Sequence, residues 1–232
     1  MLTETRLKTL AALLLFALIT PLRADVTAGD MAALKDDDFA KRVAVTRKLL
    51  ADDTLTPQQI ARAYQASSSA EAKHRLMTIA RHHFVRRMRE QEFGKEDPQR
   101  GALGLTHAPM TSDQMPELGK SAVIVKRTLP GFPAYATLEA GDLILAIDGE
   151  PIPPGITSDQ ITTMFGDRIQ RIDAGKTAQF TILRDGKTLD VNVTTASHNA
   201  LRLMYNTGGL EDRYQRAWLG FHDAMTKEEK ER

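Results

Sequence analysis

The sequence predicts an α+β protein in three parts: a helical N-terminal region, a small, partly open β-barrel carrying two helices, and a C-terminal amphipathic helix. Three observations carry this. Residues 30–93 hold two helix-start signals and apolar residues at helical spacing. From Gly101 the apolar period changes to two, punctuated by Asp-Gly turns. Near the end, Tyr214, Trp218, Phe221 and Met225 recur at spacings of four, three and four. At 232 residues, 42% hydrophobic and 26% charged, the chain is long enough to bury a sizeable core and is not of disordered composition.

At the N-terminus, Arg6 and Lys8 precede an apolar run from Leu10 to Ile19, and Leu22-Arg23-Ala24 ends in a small residue suited to signal peptidase. Residues 1–24 therefore read as a secretory signal. The alternative is an uncleaved membrane anchor, but the run falls far short of the ~20 residues that span a bilayer. Cleavage leaves 28 Lys/Arg against 29 Asp/Glu. That near-neutral balance points to no nucleic-acid partner and confines membrane contact to the signal segment. The chain has no cysteine, which excludes thiolate and disulfide chemistry and leaves stability to the core. A bacterial envelope location, periplasmic or otherwise exported, fits these features.

In residues 30–93, Phe39, Val43, Leu49 and Leu50 lie at helical spacing. Thr56 is placed as an N-cap, with Pro57 at the first helical position and Gln59 closing a capping box. Ser68 and Glu71 repeat the device before a stripe of Leu76, Ala80, Phe84 and Met88, with Met77 beside it. Three short helices follow from this, either HEAT-like hairpins or a generic helical hairpin. Lys73 to Arg89 contains six Lys/Arg and three His. It reads as a solvated basic face, His82 and His83 included, on a helix whose other side packs inward. The alternative is a patch for acidic lipid, acidic protein or nucleic acid, but Glu71, Glu90 and Glu92 flank the run. Residues 94–100, with Gly94 and Pro98, read as a linker.

Residues 101–197 form the β region. Ala122 to Arg127 alternates, and Leu143 to Ile147 is nearly continuous in apolar residues. Asp148-Gly149 and Asp185-Gly186 sit where hairpin turns belong. Between them, Thr157 and Gln160 form a capping box ahead of a stripe of Ile161, Phe165, Ile169 and Ile172. In residues 198–232 the aromatic stripe is expected to dock on this chain in preference to a partner, since an exposed stripe of that size invites aggregation.

Enzyme motifs are missing. Three Gly-Lys-Ser/Thr tripeptides begin at Gly119, Gly175 and Gly186, but Gln114, Gln170 and Thr181 stand where a phosphate loop needs its first glycine. His74 and His82 share a helical face two turns apart, too far for joint ligation, and no G-x-S-x-G elbow occurs. The sequence therefore predicts no catalytic residues, no metal and no cofactor.

Three stretches carry a family resemblance: "ALGL" (102–105), "AVIVKRTLPGFPAYATLEAGDLILAIDGEPI" (122–152) and "FTILRDGKTLDV" (180–191). Together they resemble a PDZ domain, of the bacterial type that follows the protease domain in high-temperature-requirement serine proteases, over about 95 residues. The resemblance implies a groove that takes a peptide C-terminus as an added strand. Leu103, Gly104 and Leu105 would offer N–H groups to its carboxylate, and Arg100 would reinforce that site. Leu103 and Leu105 would line the side-chain pocket, with Ile161 and Phe165 on the far wall. Gly104 is expected to matter more for binding than for folding. Two departures stand out. Residues 108–121 are positioned to cover the groove or add contacts, and helices, with no match to a protease domain, precede the loop. The implied function is a non-catalytic exported adaptor or regulator whose partner is the C-terminal peptide of another envelope protein. The alternatives are an assembly protein that works through its flanking helices, and an auxiliary chain of a separate envelope protease.

Overall fold

The computed structural model describes residues 25–93, 100–205 and 209–230. The stretch read as a secretory signal and nearly all of the stretch read as a linker lie outside the described residues. Four helices open the described chain: α1 (Ala28–Leu34), α2 (Phe39–Ala51), α3 (Pro57–Ala66) and α4 (Ala70–Phe93). Three short helices were expected. The addition is α1, started by a capping box between Thr27 and Asp30, whose buried carboxylate also takes Lys48 at 2.7 Å. The Thr56/Gln59 box opens α3 as the sequence predicts. The start of α4 is one residue later than read: Ser69, not Ser68, accepts the Ala72 N–H at 3.3 Å, and Glu71 turns to Arg75 at 2.7 Å.

The basic run of α4 is not a solvated face. Leu76, Ile79, Ala80 and Val85 are buried, and so are His82 and His83, 3% and 1% exposed. The reading from sequence fails because α4 is packed on several sides at once, against α2 and α3, against the C-terminal helix and against the β region. Arginine stems lie along those contacts, which is how a segment so rich in charge can be central.

The β region contains β1 (Gly101–Ala102), β2 (Leu105–Met110), β3 (Ala122–Thr128), α5 (Ala134–Thr137), β4 (Leu143–Ile147), β5 (Glu150–Pro151), α6 (Ser158–Arg171), β6 (Thr177–Arg184), β7 (Lys187–Thr194) and β8 (Ala196–Ser197). The main sheet is antiparallel in the order β2-β3-β4-β6-β7, with β5 on β4, and it stays open; β1 pairs separately with β8. Asp148-Gly149 and Asp185-Gly186 both have positive φ, as a two-residue hairpin turn requires. The Thr157/Gln160 box opens α6, which presses Ile161, Phe165 and Ile169 onto Val123, Ile144, Phe180 and Ile182.

Two helices close the chain, α7 (His198–Tyr205) and α8 (Gly209–Lys230). The α8 stripe docks on this chain: Trp218 and Met225 are buried in one core with Leu34, Ile60 and Leu76, and Phe84 meets Trp218 edge-on at 5.7 Å. Burying such side chains contributes roughly 1.5–3 kcal/mol each.

The helices and the β region meet at the turn after β3. Gly131 (φ 82°) lies so close to α4 that a Cβ there would come within 2.5 Å of Val85 Cγ1 and 2.8 Å of the Arg86 backbone N. Its N–H donates to His82 Nδ1 at 3.1 Å, and the His82 ring stacks on Tyr135 at 5.2 Å. His83 Nε2 donates to the Leu49 carbonyl at 2.8 Å. Burial holds both imidazoles neutral, with positive neighbours adding to it: His82 is pushed well below the usual range and His83 to about 4.

Two outcomes follow. Gly131→Ala should destabilise by about 3 kcal/mol or more, through positive φ and collision with the α4 backbone, measured by chemical denaturation. Both histidines bind protons more readily when unfolded, so their contribution is complete above pH ~6.5 and falls as the pH drops toward ~4. The His83 share is on the order of 3 kcal/mol. Denaturation midpoints should therefore decline between about pH 6.5 and 5, above the ordinary carboxylate range, and a flat profile there would contradict the burial of these rings.

Candidate functional site

Helix α6 lies across β2, the first strand of the sheet, and a groove of ≈ 160 Å³ runs between them and the loop before β2. Backbone direction follows from register. Val125 donates to the Asp142 carbonyl at 2.9 Å and accepts the Gly141 N–H at 2.8 Å, so its peptide groups face β4. His107 is its partner on β2, and Pro109 lies two residues on. Both therefore turn their backbone polar groups away from β3, toward the groove edge. Pro109 has no N–H to leave unpaired, which is why a proline is tolerated there. The row of outward donors stops at His107.

In the loop, the Leu103 carbonyl accepts from Ala134 N at 3.1 Å and the Gly104 carbonyl from Leu129 N at 2.8 Å. The N–H groups of Leu103 and Gly104 have no hydrogen-bond partner among the described residues. Successive free N–H groups at a loop make a concavity suited to an anion. Arg100, at the loop entry, has a positive φ of 30°, donates from Nη1 to Gln170 Oε1 at 3.3 Å, and accepts His198 N–H at its carbonyl.

Of the residues singled out from sequence, Leu103, Gly104, Leu105 and Phe165 line this groove together. Leu103 is also part of the core. Ile161 is fully buried in the core and is not part of the lining; Gly166 and Ile169, further along α6, take that wall. Gly104 corrects an expectation. With φ 72° and a would-be Cβ only 2.0 Å from Phe132 Cβ, any larger residue there disrupts packing, so Gly104 matters to folding first. Residues 108–121 do not roof the groove: Met115 is buried in a separate cluster with Ala122 and Leu145.

Among the lining residues that went unnoticed in the sequence are His107, His198 and Leu201. His107 shares a strand face with Leu105, so period-two alternation could have found it. Its ring lies 4.8 Å from Phe165, and burial lowers its pKa. His198 and Leu201 of α7 close the loop end of the groove, and no local signal announces that contact. Among the described residues, no cluster of His, Asp or Glu is arranged to hold a metal ion.

Part of this chain has counterparts among known proteins. Residues 101–195 match the family model described as PDZ domain. The chain is 30% identical over 112 residues to proteins named probable periplasmic serine endoprotease DegP-like from Brucella suis and Brucella abortus, and the match takes in 47% of this chain but 20% of each relative. Among solved structures, an HtrA-type protease AlgW with decapeptide is similar at 23% identity, TM-score 0.34, over 48% of this chain and 33% of that one. A serine endoprotease from Yersinia pestis is similar at 25% identity, TM-score 0.31, over 43% and 29%. Residues 101–195 of this chain are a PDZ domain, homologous to the PDZ regions of the HtrA/DegP proteins and matching them over only part of the chain.

Proposed function

We propose that this protein is a non-catalytic, exported adaptor or regulator that captures the C-terminus, or an extended segment, of another envelope protein. The observation that carries the reading is the groove itself. It combines an edge strand with outward peptide groups, two free loop N–H groups and an apolar pocket, the elements needed for strand addition to a PDZ domain. In this reading the N–H groups of Leu103, Gly104 and Leu105 receive the terminal carboxylate, and Arg100 adds positive charge at the mouth. Leu105, Phe165 and Ile169 accept an apolar terminal side chain. His107 supplies a main-chain bond, and Pro109 ends the pairing after a few residues.

Export is part of the proposal. It rests on the signal-like first 24 residues and on the periplasmic naming of the relatives. Main-chain pairing over so short an edge gives modest affinity, which suits exchange among ligands better than permanent assembly.

Peptides with apolar C-termini should bind at least tenfold more tightly as free acids than as amides in fluorescence anisotropy; equal binding would remove the carboxylate role of the loop. His107→Pro deletes a donor that faces the groove edge without breaking a bond to β3. It should leave the fold intact by circular dichroism and weaken peptide binding about tenfold or more. Unchanged affinity would mean that the β2 edge is not the docking strand.

A further inference from the structure

Helix α6 contains a glycine that its own packing does not account for. Gly166 lies in the interior of Ser158–Arg171, where glycine is a poorer choice than any residue but proline. The usual reasons for keeping a glycine are missing. Its φ is not positive, unlike that of Gly104 or Gly131. Among the described residues, a Cβ there would meet no neighbouring group within 4 Å, whereas at Gly101, Gly104 and Gly131 it would collide. Gly166 nonetheless lines the groove between α6 and β2, about one helical turn before Ile169 and Gln170. A side chain at this position would therefore project into the open groove.

The space beside it has the character of a side-chain pocket. Leu105 and His107 of β2 share the groove with Gly166, and Phe165, Ile169 and Leu201 add apolar walls. A volume of ≈ 160 Å³ is of the order that admits a benzene-sized group between Leu, Ile and Phe side chains. Leu201 belongs to α7, beyond the matched residues 101–195, so the dimensions of the pocket belong to this chain and not to the PDZ fold alone. In a peptide added to β2, every second side chain turns to the same side, so the last one and the third from the end face α6 together. Gly220, inside α8, offers the contrast: it is equally unhindered but stands on an exposed face.

We propose that Gly166 is a specificity-determining residue of the groove: the volume left free by its missing side chain is taken by a bulky side chain of the bound peptide. The groove then selects peptides with a large apolar residue facing α6 over those with alanine there. This role rests on the peptide-binding reading above. A large side chain takes the apolar walls out of water and meets them over its whole surface, while a small one leaves those walls without partner atoms. Filling the same space from the protein side has the opposite effect, because an extra methyl group in an occupied site forces strain.

The test is fluorescence anisotropy of the protein with peptide free acids that carry phenylalanine, leucine or alanine at the last and third-from-last positions. The parent protein should bind the best phenylalanine or leucine peptide about tenfold or more tighter than its alanine counterpart. Gly166→Leu should remove that preference, losing the large-side-chain peptide and keeping the alanine one. Gly166→Ala should weaken the large-side-chain peptide about fivefold. It should also raise Tm, since alanine favours the helix and meets nothing. Gly220→Ala should raise Tm likewise and leave every affinity unchanged. Should Gly166→Leu not fold, Gly166→Ala decides alone, because stability and binding move in opposite directions only if the ligand occupies that space. A parent protein that binds large and small peptides alike, or Gly166 variants that keep the parent's ratio, overturns the proposal while leaving the groove a peptide site. If no free acid binds the parent protein, the peptide reading fails and this role with it.

Discussion

Phe132 stands where all parts of the molecule meet, and much of the structure depends on its position. It is fully buried, it fills the space that a side chain at Gly104 would need, and it lies under the Arg89 guanidinium and beside the Tyr205 ring. The loop of the groove, the central helix and the C-terminal extension therefore share one aromatic contact. A dense interior cannot shift one member of such a set without moving the others. Gly131, immediately before it, allows the turn to approach α4 closely enough for the contact to form.

Around this point the protein accommodates an unusual amount of charge. Helix α4 carries arginines and two histidines through the middle of the fold, and each group is treated differently. His82 and His83 become neutral, paired with a backbone N–H and a carbonyl. Arg75 and Arg86 meet the carboxylates of Glu71 and Asp53 near the surface. Each treatment answers the same constraint, that a charge removed from water must be neutralised or partnered.

The groove shows the same economy of local devices. Its edge strand tolerates Pro109 only because that residue's missing donor would have faced outward, and its loop directs carbonyls inward to Ala134 and Leu129 so that N–H groups are left for the groove. Helix α7, which lies beyond the matched PDZ region, contributes His198 and Leu201 to the same cavity and Met204 to the cluster around Phe132. The PDZ domain is thus built into its flanking helices and is not simply strung between them.

Much of this was legible in the residues alone. The capping boxes at Thr56 and Thr157, the Asp-Gly turns, the α6 stripe and the Trp218 stripe are local patterns in which each residue's role depends on neighbours a few positions away. The PDZ resemblance likewise pointed to Leu103, Gly104, Leu105 and Phe165, because loop, strand and helix follow one another in a recognisable order. What lay out of reach depended on distant partners. His82 and His83 look solvated until the Gly131 turn and Leu49 arrive from elsewhere in the chain. Gly104 looks like a ligand-facing glycine until Phe132 occupies its missing side chain. Sequence by itself determined the elements and the character of their faces, because those are set by hydrogen bonding and periodicity within a segment. Only the tertiary structure decided which charges are buried and which glycines are needed for packing, because those depend on what another segment brings into contact.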